Sequence, residues 1–218
     1  MKRFLIGFVS TSSQNCGTGR DQNLKNDLWV VIPTANRHQY LEEIFENSGV
    51  PRDQIVLVRT APGVDIEGVH NIWDDKEEFN IHRWWNHGLQ YAEELFDAKY
   101  VAVLNDDVWI EPGSLQAIVK GIEWSGADIG YPEPSSSDIC GYAWVLRMSS
   151  PIRPDQRFRW WFGDNDLRNQ ARAHNGTVSV SCNIKHLHPN ETTVGEFFEA
   201  TKRDGELFYE KWDTTSRD

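Results

Sequence analysis

Three clusters of ionisable residues have the types and spacing that chemistry needs. The first is Leu104-Asn105-Asp106-Asp107-Val108, where two adjacent carboxylates follow an apolar run. Neighbouring negative charges at the end of a buried strand repel each other and lose hydration. A divalent cation would supply the missing positive charge, because hard cations take oxygen ligands. The same residues suit a solvated turn equally well, with Asp opening the next helix. The second cluster is Trp161-Phe162-Gly163-Asp164-Asn165-Asp166-Leu167. Asp164 and Asp166 stand at the start of an expected helix, where the dipole favours anions. In one reading, one of them caps the helix and the other is solvated. In the other, a carboxylate base is held over a pocket rimmed by Trp160, Trp161 and Phe162, whose faces suit sugar rings. The third is Lys185-His186-Leu187-His188-Pro189. Residues two apart in a strand face one side, so both imidazoles could meet one cation. Each is also compatible with a plain polar surface position.

The elements that would position these clusters follow from the apolar pattern. Leu28 to Ile32, Ile55 to Val58 and Tyr100 to Leu104 are continuous apolar runs, as in strands buried on both faces. Between them lie helical stretches. One has Tyr40, Leu41, Ile44 and Phe45 on a single face and Gly49 as its stop. Another runs from Asn80 to Phe96, with Ile81, Trp84, Trp85, Leu89, Ala92, Leu95 and Phe96 inward. Pro112 opens a third, carrying Leu115, Ile118, Val119 and Ile122. Alternation of this kind predicts an α/β fold with a mostly parallel central sheet flanked by helices. Ligands of such sheets bind beyond the carboxyl ends of the strands. That rule gathers Pro33 to Arg37, Arg59 to Thr60 and Asn105 to Asp107 around one crevice. Further on, Ile139 to Met148 reads as a strand, Gly163 to Ala173 as a short helix, and Thr177 to His188 as a strand. Residues 1–27 read as an irregular lead-in, residues 28–195 as the folded domain, and residues 196–218 as a C-terminal helical tail.

Composition narrows the class. The chain has 218 residues, 33 acidic and 22 basic, for a net charge of −11. A nucleic-acid partner is disfavoured, since phosphate backbones need clustered Lys and Arg. No stretch reaches the roughly 20 apolar residues of a membrane-spanning helix. Lys2-Arg3 and the short run Phe4 to Val9 only faintly imitate a signal peptide. Cys16, Cys140 and Cys182 are too few and too scattered for a disulfide framework, which fits a cytoplasmic setting. Hydrophobic residues at 39% and aromatics at 12% provide for a sizeable core, but ten tryptophans are more than a core requires.

Taken in order, the motifs resemble glycosyltransferase family 2 enzymes with the GT-A fold. Val30-Val31-Ile32-Pro33-Thr34-Ala35-Asn36-Arg37 is similar to that family's opening strand and nucleotide-binding turn. Asn86-His87-Gly88-Leu89 is similar to its asparagine-x-glycine helix segment, and Leu104-Asn105-Asp106-Asp107 to its DXD region. Phe162 to Leu167, with Arg168 and Arg172 behind, resembles its acidic motif, and the His186 region its late histidine. The resemblance spans residues 28 to 190. It implies metal-dependent, inverting transfer of a sugar from a nucleotide-sugar donor, a UDP-sugar by preference, to a hydroxyl of a glycan, protein or lipid-linked acceptor. By the same resemblance Asp107 would bind Mn²⁺ or Mg²⁺, with His186 as a further ligand and His188 as the fallback. Asp106 would contact the donor's ribose or sugar. Pro33, Thr34 and Arg37 would line the nucleotide pocket, and Arg59, Thr60, Asn86 and Asn105 join them on the donor side. Asp164 would be the general base, and Asp166 would shape the acceptor side, where Trp160 and Trp161 are expected to hold a sugar.

Four departures stand out. Val58-Arg59-Thr60-Ala61 replaces an acidic pair that reads the base, Asn105 opens the acidic triplet, Gly163 stands for a usual Glu, and Trp85 stands for a basic residue that nearby Arg83 could replace. The chain is short, so no separate acceptor domain is expected. Two other classes compete with a glycosyltransferase. A nucleotidyltransferase acting on sugar phosphates would carry a glycine-rich basic loop, which Pro33 to Arg37 lacks. A non-catalytic carbohydrate-binding domain would use the tryptophans but would not need Asp106, Asp107, Asp164 and His186 together.

Overall fold

The computed structural model describes residues 27–35, 38–63, 65–76, 78–133, 139, 141–188 and 197–212. The expected lead-in before residue 27, together with Asn36 and Arg37, lies outside the described residues. Strand β1 (Leu28–Thr34) is buried along its whole length, as its unbroken apolar run requires. It lies between β2 (Ile55–Arg59) and β4 (Tyr100–Leu104), both parallel to it. β3 (His70–Trp73) extends the sheet beyond β2. On the far side come β7 (Ala143–Arg147), β6 (Ile129–Pro132) and β8 (Thr177–Val180). The order is β3-β2-β1-β4-β7-β6-β8, and only β7 runs against the rest.

Because side chains alternate along a strand, β1 feeds two separate cores. Leu28, Val30 and Ile32 pack with Leu41, Ile44 and Phe45 of α1 (His38–Ser48) and with Leu115, Ile118 and Ile122 of α3 (Ser114–Ser125). Trp29 and Val31 pack with Trp84, Trp85, Leu89 and Ala92 of α2 (Ile81–Phe96) and with Leu167 and Ala171 of α4 (Gly163–Arg172). The product is a single mixed α/β domain with helices on both faces of a mostly parallel sheet, as the sequence pattern predicts.

Three differences from the sequence reading bear on the site. The expected strand over Thr177 to His188 is two strands, β8 and β9 (Ile184–His186). β8 stays in the main sheet, whereas β9 leaves it to pair antiparallel with β5 (Val108–Ile110). The strand expected from Ile139 starts only at Ala143, after a turn at Gly141-Tyr142. Strands β3, β5 and β6 carry little strand signal, being three or four residues long. β6 also contains Gly130 and Pro132, which weaken the pattern. The stretch read as a tail forms one helix, α5 (Phe198–Trp212).

Helix α2 is seated so closely on the sheet that Gly88 has no room for a side chain. A Cβ there would lie 2.1 Å from Val31 Cγ1. Replacing Gly88 with Ala gains helix propensity but forces α2 off β1. We expect Gly88→Ala to destabilise the protein by about 1–3 kcal/mol. A lowered urea midpoint measures this, and an unchanged midpoint would mean that α2 is not tightly seated.

Candidate active site

The carboxyl ends of β1, β2 and β4 open into a cleft of about 200 Å³. From the first strands come Pro33, Thr34, Ala35 and Thr60, and from the turn after β4 come Asn105, Asp106 and Asp107. Ile81, Trp84 and Trp85 of α2, then Gly141, Trp160, His186 and His188, complete the wall. Thr34 Oγ1 donates to Asp106 Oδ2 at 2.8 Å, fixing the first carboxylate against β1. Thr60 N–H donates to the Thr34 carbonyl at 3.1 Å, which joins the ends of β1 and β2.

The second carboxylate is held by the small ladder. β5 follows Asp107 directly, and its Val108 stands opposite His186 of β9. Leu187 N–H donates to the Asp107 carbonyl at 2.9 Å, so the two chain segments stay paired to the end. His186 Nε2 then lies 3.0 Å from Asp107 Oδ1, with the carboxylate almost completely buried. Tyr142 stacks on the His186 ring, with centroids 5.1 Å apart and planes at 17°. His188 Nε2 lies 2.6 Å from the Tyr40 hydroxyl of α1. The structure thus brings the first and third clusters to one place. Among the described residues, no three His, Cys, Asp or Glu side chains gather as a ready-made metal cage.

Asp164 is not on the cleft wall but lies behind Gly141, which is. Its Oδ2 rests against Gly141, where an added Cβ would come within 3.2 Å. Burial pushes its carboxyl pKa up, more than the Asn165 N–H at 2.9 Å and its own main-chain N–H pull it down. Trp160 reaches the cleft, with one ring face stacked on Phe197 at 4.4 Å.

Other expected site residues face elsewhere. Asp166 is fully buried and accepts from Gln170 Nε2, Trp212 Nε1 and Lys211 Nζ, each at 2.7 Å, so its carboxylate serves packing inside the fold. Arg59 is 1% exposed, with its guanidinium paired to Asp65 at 2.8 Å and lying over the Trp73 ring. Asn86 ties α2 to the Pro154 carbonyl at 2.5 Å instead of reaching the cleft. Trp161 is also absent from the cleft wall, and its indole nitrogen is buried without a partner. Arg83, the basic residue near Asn86, is spent on Asp74 in a buried pair at 2.7 Å. Burial alone would raise the Asp74 pKa, but the hydrogen bonds and charge of Arg83 outweigh it and hold the carboxyl low. The sequence reading missed Tyr40, Gly141 and Tyr142. Trp84 and Trp85 it read only as core, yet both also wall the cleft.

Gly163 has a physical reason in this chain. A Cβ there would lie 1.7 Å from Nε2 of His82, whose Nδ1 donates to the Phe158 carbonyl at 2.9 Å. Burial depresses the His82 pKa to about 4, although Asp204, Asp166 and Asp155 pull it upward.

No family model and no curated protein matches the chain. Solved structures do share its fold. The crystal structure of S. aureus TarS 1–349 aligns with a TM-score of 0.53 and 12% identity, over 71% of this chain and 58% of that one. The same protein in complex with UDP-GlcNAc gives 0.57 and 12% identity, over 80% of this chain and 64% of that one. The complex of TarS 1–349 with UDP gives 0.54, again at 12% identity and with 71% and 58% covered. The fold is similar to that of these TarS structures, and the chain spans less than two thirds of their length.

His82 makes the stability of this region depend on pH. Its folded pKa of about 4 lies below the ordinary 6.5, so the unfolded chain binds more protons between those values. The neutral-His contribution is complete above about pH 6.5 and is lost as pH falls toward 4. It amounts at most to about 3 kcal/mol. We expect Tm to fall over that range in the wild type and to fall less in His82→Gln. Identical slopes in the two proteins would remove His82 as the cause.

Proposed function

We propose that the chain is a metal-dependent, inverting glycosyltransferase of the GT-A type, akin to family 2. Its donor would be a nucleotide sugar, a UDP-sugar by preference, and its acceptor a hydroxyl group. The observation that carries this reading is the pairing of Asp107 with His186 at 3.0 Å, beside Asp106 on Thr34 in one cleft. The similarity of the fold to TarS, whose crystals hold UDP and UDP-GlcNAc, supports it.

The donor set fits a divalent cation. Asp107 Oδ1 and His186 Nε2 lie 3.0 Å apart, close enough for both to reach one ion. The Asp107 carboxylate would suit Mn²⁺ or Mg²⁺, with the His186 imidazole as a further ligand. When bound, such an ion lends Lewis-acid charge to the departing diphosphate.

The chain's own residues carry the remaining roles. Asp106, fixed by Thr34, would contact the donor's ribose or sugar. Thr34, Thr60 and Pro33 form the floor for the nucleotide. Asp164 takes the proton of the acceptor hydroxyl as its oxygen bonds to the anomeric carbon. The bond from that carbon to the phosphate oxygen breaks, and its electron pair leaves with the nucleoside diphosphate. Attack from the face opposite the leaving group inverts the centre. A pKa raised by burial makes Asp164 a stronger base than an ordinary carboxylate. Gly141 has no side chain to bar the way from the cleft to that carboxylate.

Two substitutions test this. Asp107→Ala should abolish Mn²⁺-dependent tightening of nucleotide binding, followed by thermal shift, together with turnover. Unaltered metal dependence there would remove the metal assignment. Asp164→Asn should keep nucleotide binding and lower kcat by roughly 10²–10⁴-fold. The wild-type rate should fall on the acid side at a pH above the ordinary carboxylate range, and retained turnover in the variant would move the base elsewhere.

A further inference from the structure

The loop that leads into Asp164 is held in an unusual way. Asp204 of α5 is fully buried, and its carboxylate accepts the main-chain N–H groups of Arg159, Trp160 and Trp161. The distances to Oδ2 are 3.0, 2.7 and 2.9 Å. Successive N–H groups converging in this manner form a concavity for an anion, and here the chain fills it with its own side chain. Next in sequence, Phe162 adopts a left-handed backbone, φ 64°, which an aromatic residue rarely accepts without support. That support comes from the same helix. Phe162 stacks on Phe208 at 5.3 Å and packs against Gly205, where a Cβ would come within 3.3 Å of its ring. From the other side, His82 of α2 holds the Phe158 carbonyl and fills the space over Gly163.

We propose that α5 is a clamp on the active-site loop, with Asp204 as the positioning residue that sets Trp160 in the cleft and Asp164 behind Gly141. This rests on the reading of Asp164 as the base. Asp204 touches no reacting atom and acts through the main chain of residues 159–161. A fold that needed only burial could have left these amides to water at the surface. Instead a carboxylate some 45 residues downstream takes all three. The strained Phe162 backbone then turns the chain directly into the first turn of α4, where Asp164 sits. Small losses of aim at a base are costly, since a displacement of about 1 Å can lower a rate about 100-fold.

The test compares wild type, Asp204→Asn, Asp164→Asn and Ile122→Ala. Ile122 lies in the opposite core layer and serves as a control for lost stability. Turnover is read as hydrolysis of whichever of the UDP-, GDP- or CDP-sugars the wild type consumes with Mn²⁺. Amide hydrogen exchange of residues 159–161 is read in parallel. We expect Asp204→Asn to lower kcat by about 100-fold while donor KM changes by less than about threefold. Exchange at those three amides should rise at least about tenfold, and Ile122→Ala should lose Tm without either effect. The clamp is refuted if Asp204→Asn keeps its kcat, or if Ile122→Ala loses as much kcat at an equal loss of Tm. Full activity in Asp164→Asn would instead strike the base assignment. If the wild type hydrolyses none of these donors, the functional reading falls, and the exchange rates alone decide whether Asp204 holds the loop.

Discussion

The meeting of Asp107 with His186 at the cleft depends on the antiparallel pairing of β5 with β9. Asp107 and His186 are 79 positions apart in the chain, and nothing local attracts one to the other. The ladder sets Val108 against His186 and closes on the Leu187 N–H to the Asp107 carbonyl. It costs β9 its place in the main sheet, so the chain turns away after β8 through Ser181-Cys182-Asn183. Main-chain hydrogen bonds thus fix the spacing of a carboxylate and an imidazole that would otherwise pay a desolvation penalty with no set geometry. Tyr142 on the His186 ring and Tyr40 beside His188 then limit where the two imidazoles can turn.

The parts legible in the sequence are those with strong, long signals. β1, β2, β4, α1, α2 and α3 are all found where apolar runs or helical stripes place them, although Leu95 and Phe96, expected on the inward stripe of α2, are exposed in its last turn. The rule that ligands gather beyond the carboxyl ends of parallel strands located Thr34, Thr60 and Asn105 to Asp107 on one wall. Three-residue strands such as β5 and β9 carry almost no periodicity, so the device that unites Asp107 and His186 stayed invisible. His186 could be nominated by type, but its pairing with Asp107 depends on a long-range ladder that no local pattern encodes.

Asp166 and Arg59 went astray for a related reason: spacing reveals which residues are near, not which way they face. Asp164 and Asp166 are two positions apart in the first turn of α4, which points them about 200° apart around the helix axis. One therefore rests against Gly141, while the other turns inward to Gln170, Lys211 and Trp212. The tryptophans divide in the same manner. Trp144 is pure core, Trp84 and Trp85 combine core with cleft wall, and Trp212 donates to Asp166. Of the pair at 160–161, Trp160 is on the cleft wall and Trp161 is not.

A few of the chain's carboxylates are part of its structure. Among the described residues five aspartates are buried, Asp74, Asp107, Asp128, Asp166 and Asp204, and no glutamate is. A short side chain brings its carboxylate to main-chain N–H groups or a fixed cation with one fewer rotor to immobilise. Asp128 accepts from Asn175 N–H at 2.9 Å and His174 Nδ1 at 2.8 Å, as Asp204 accepts from the 159–161 loop and Asp74 from Arg83. Four of the five are therefore consumed in holding loops and helices together. Asp107 differs in its setting, since it alone of the buried five lies on the cleft wall. A buried carboxylate on a cleft wall is desolvated yet reachable from the ligand space. That combination, more than the doublet of acids itself, distinguishes Asp107 from the structural aspartates around it.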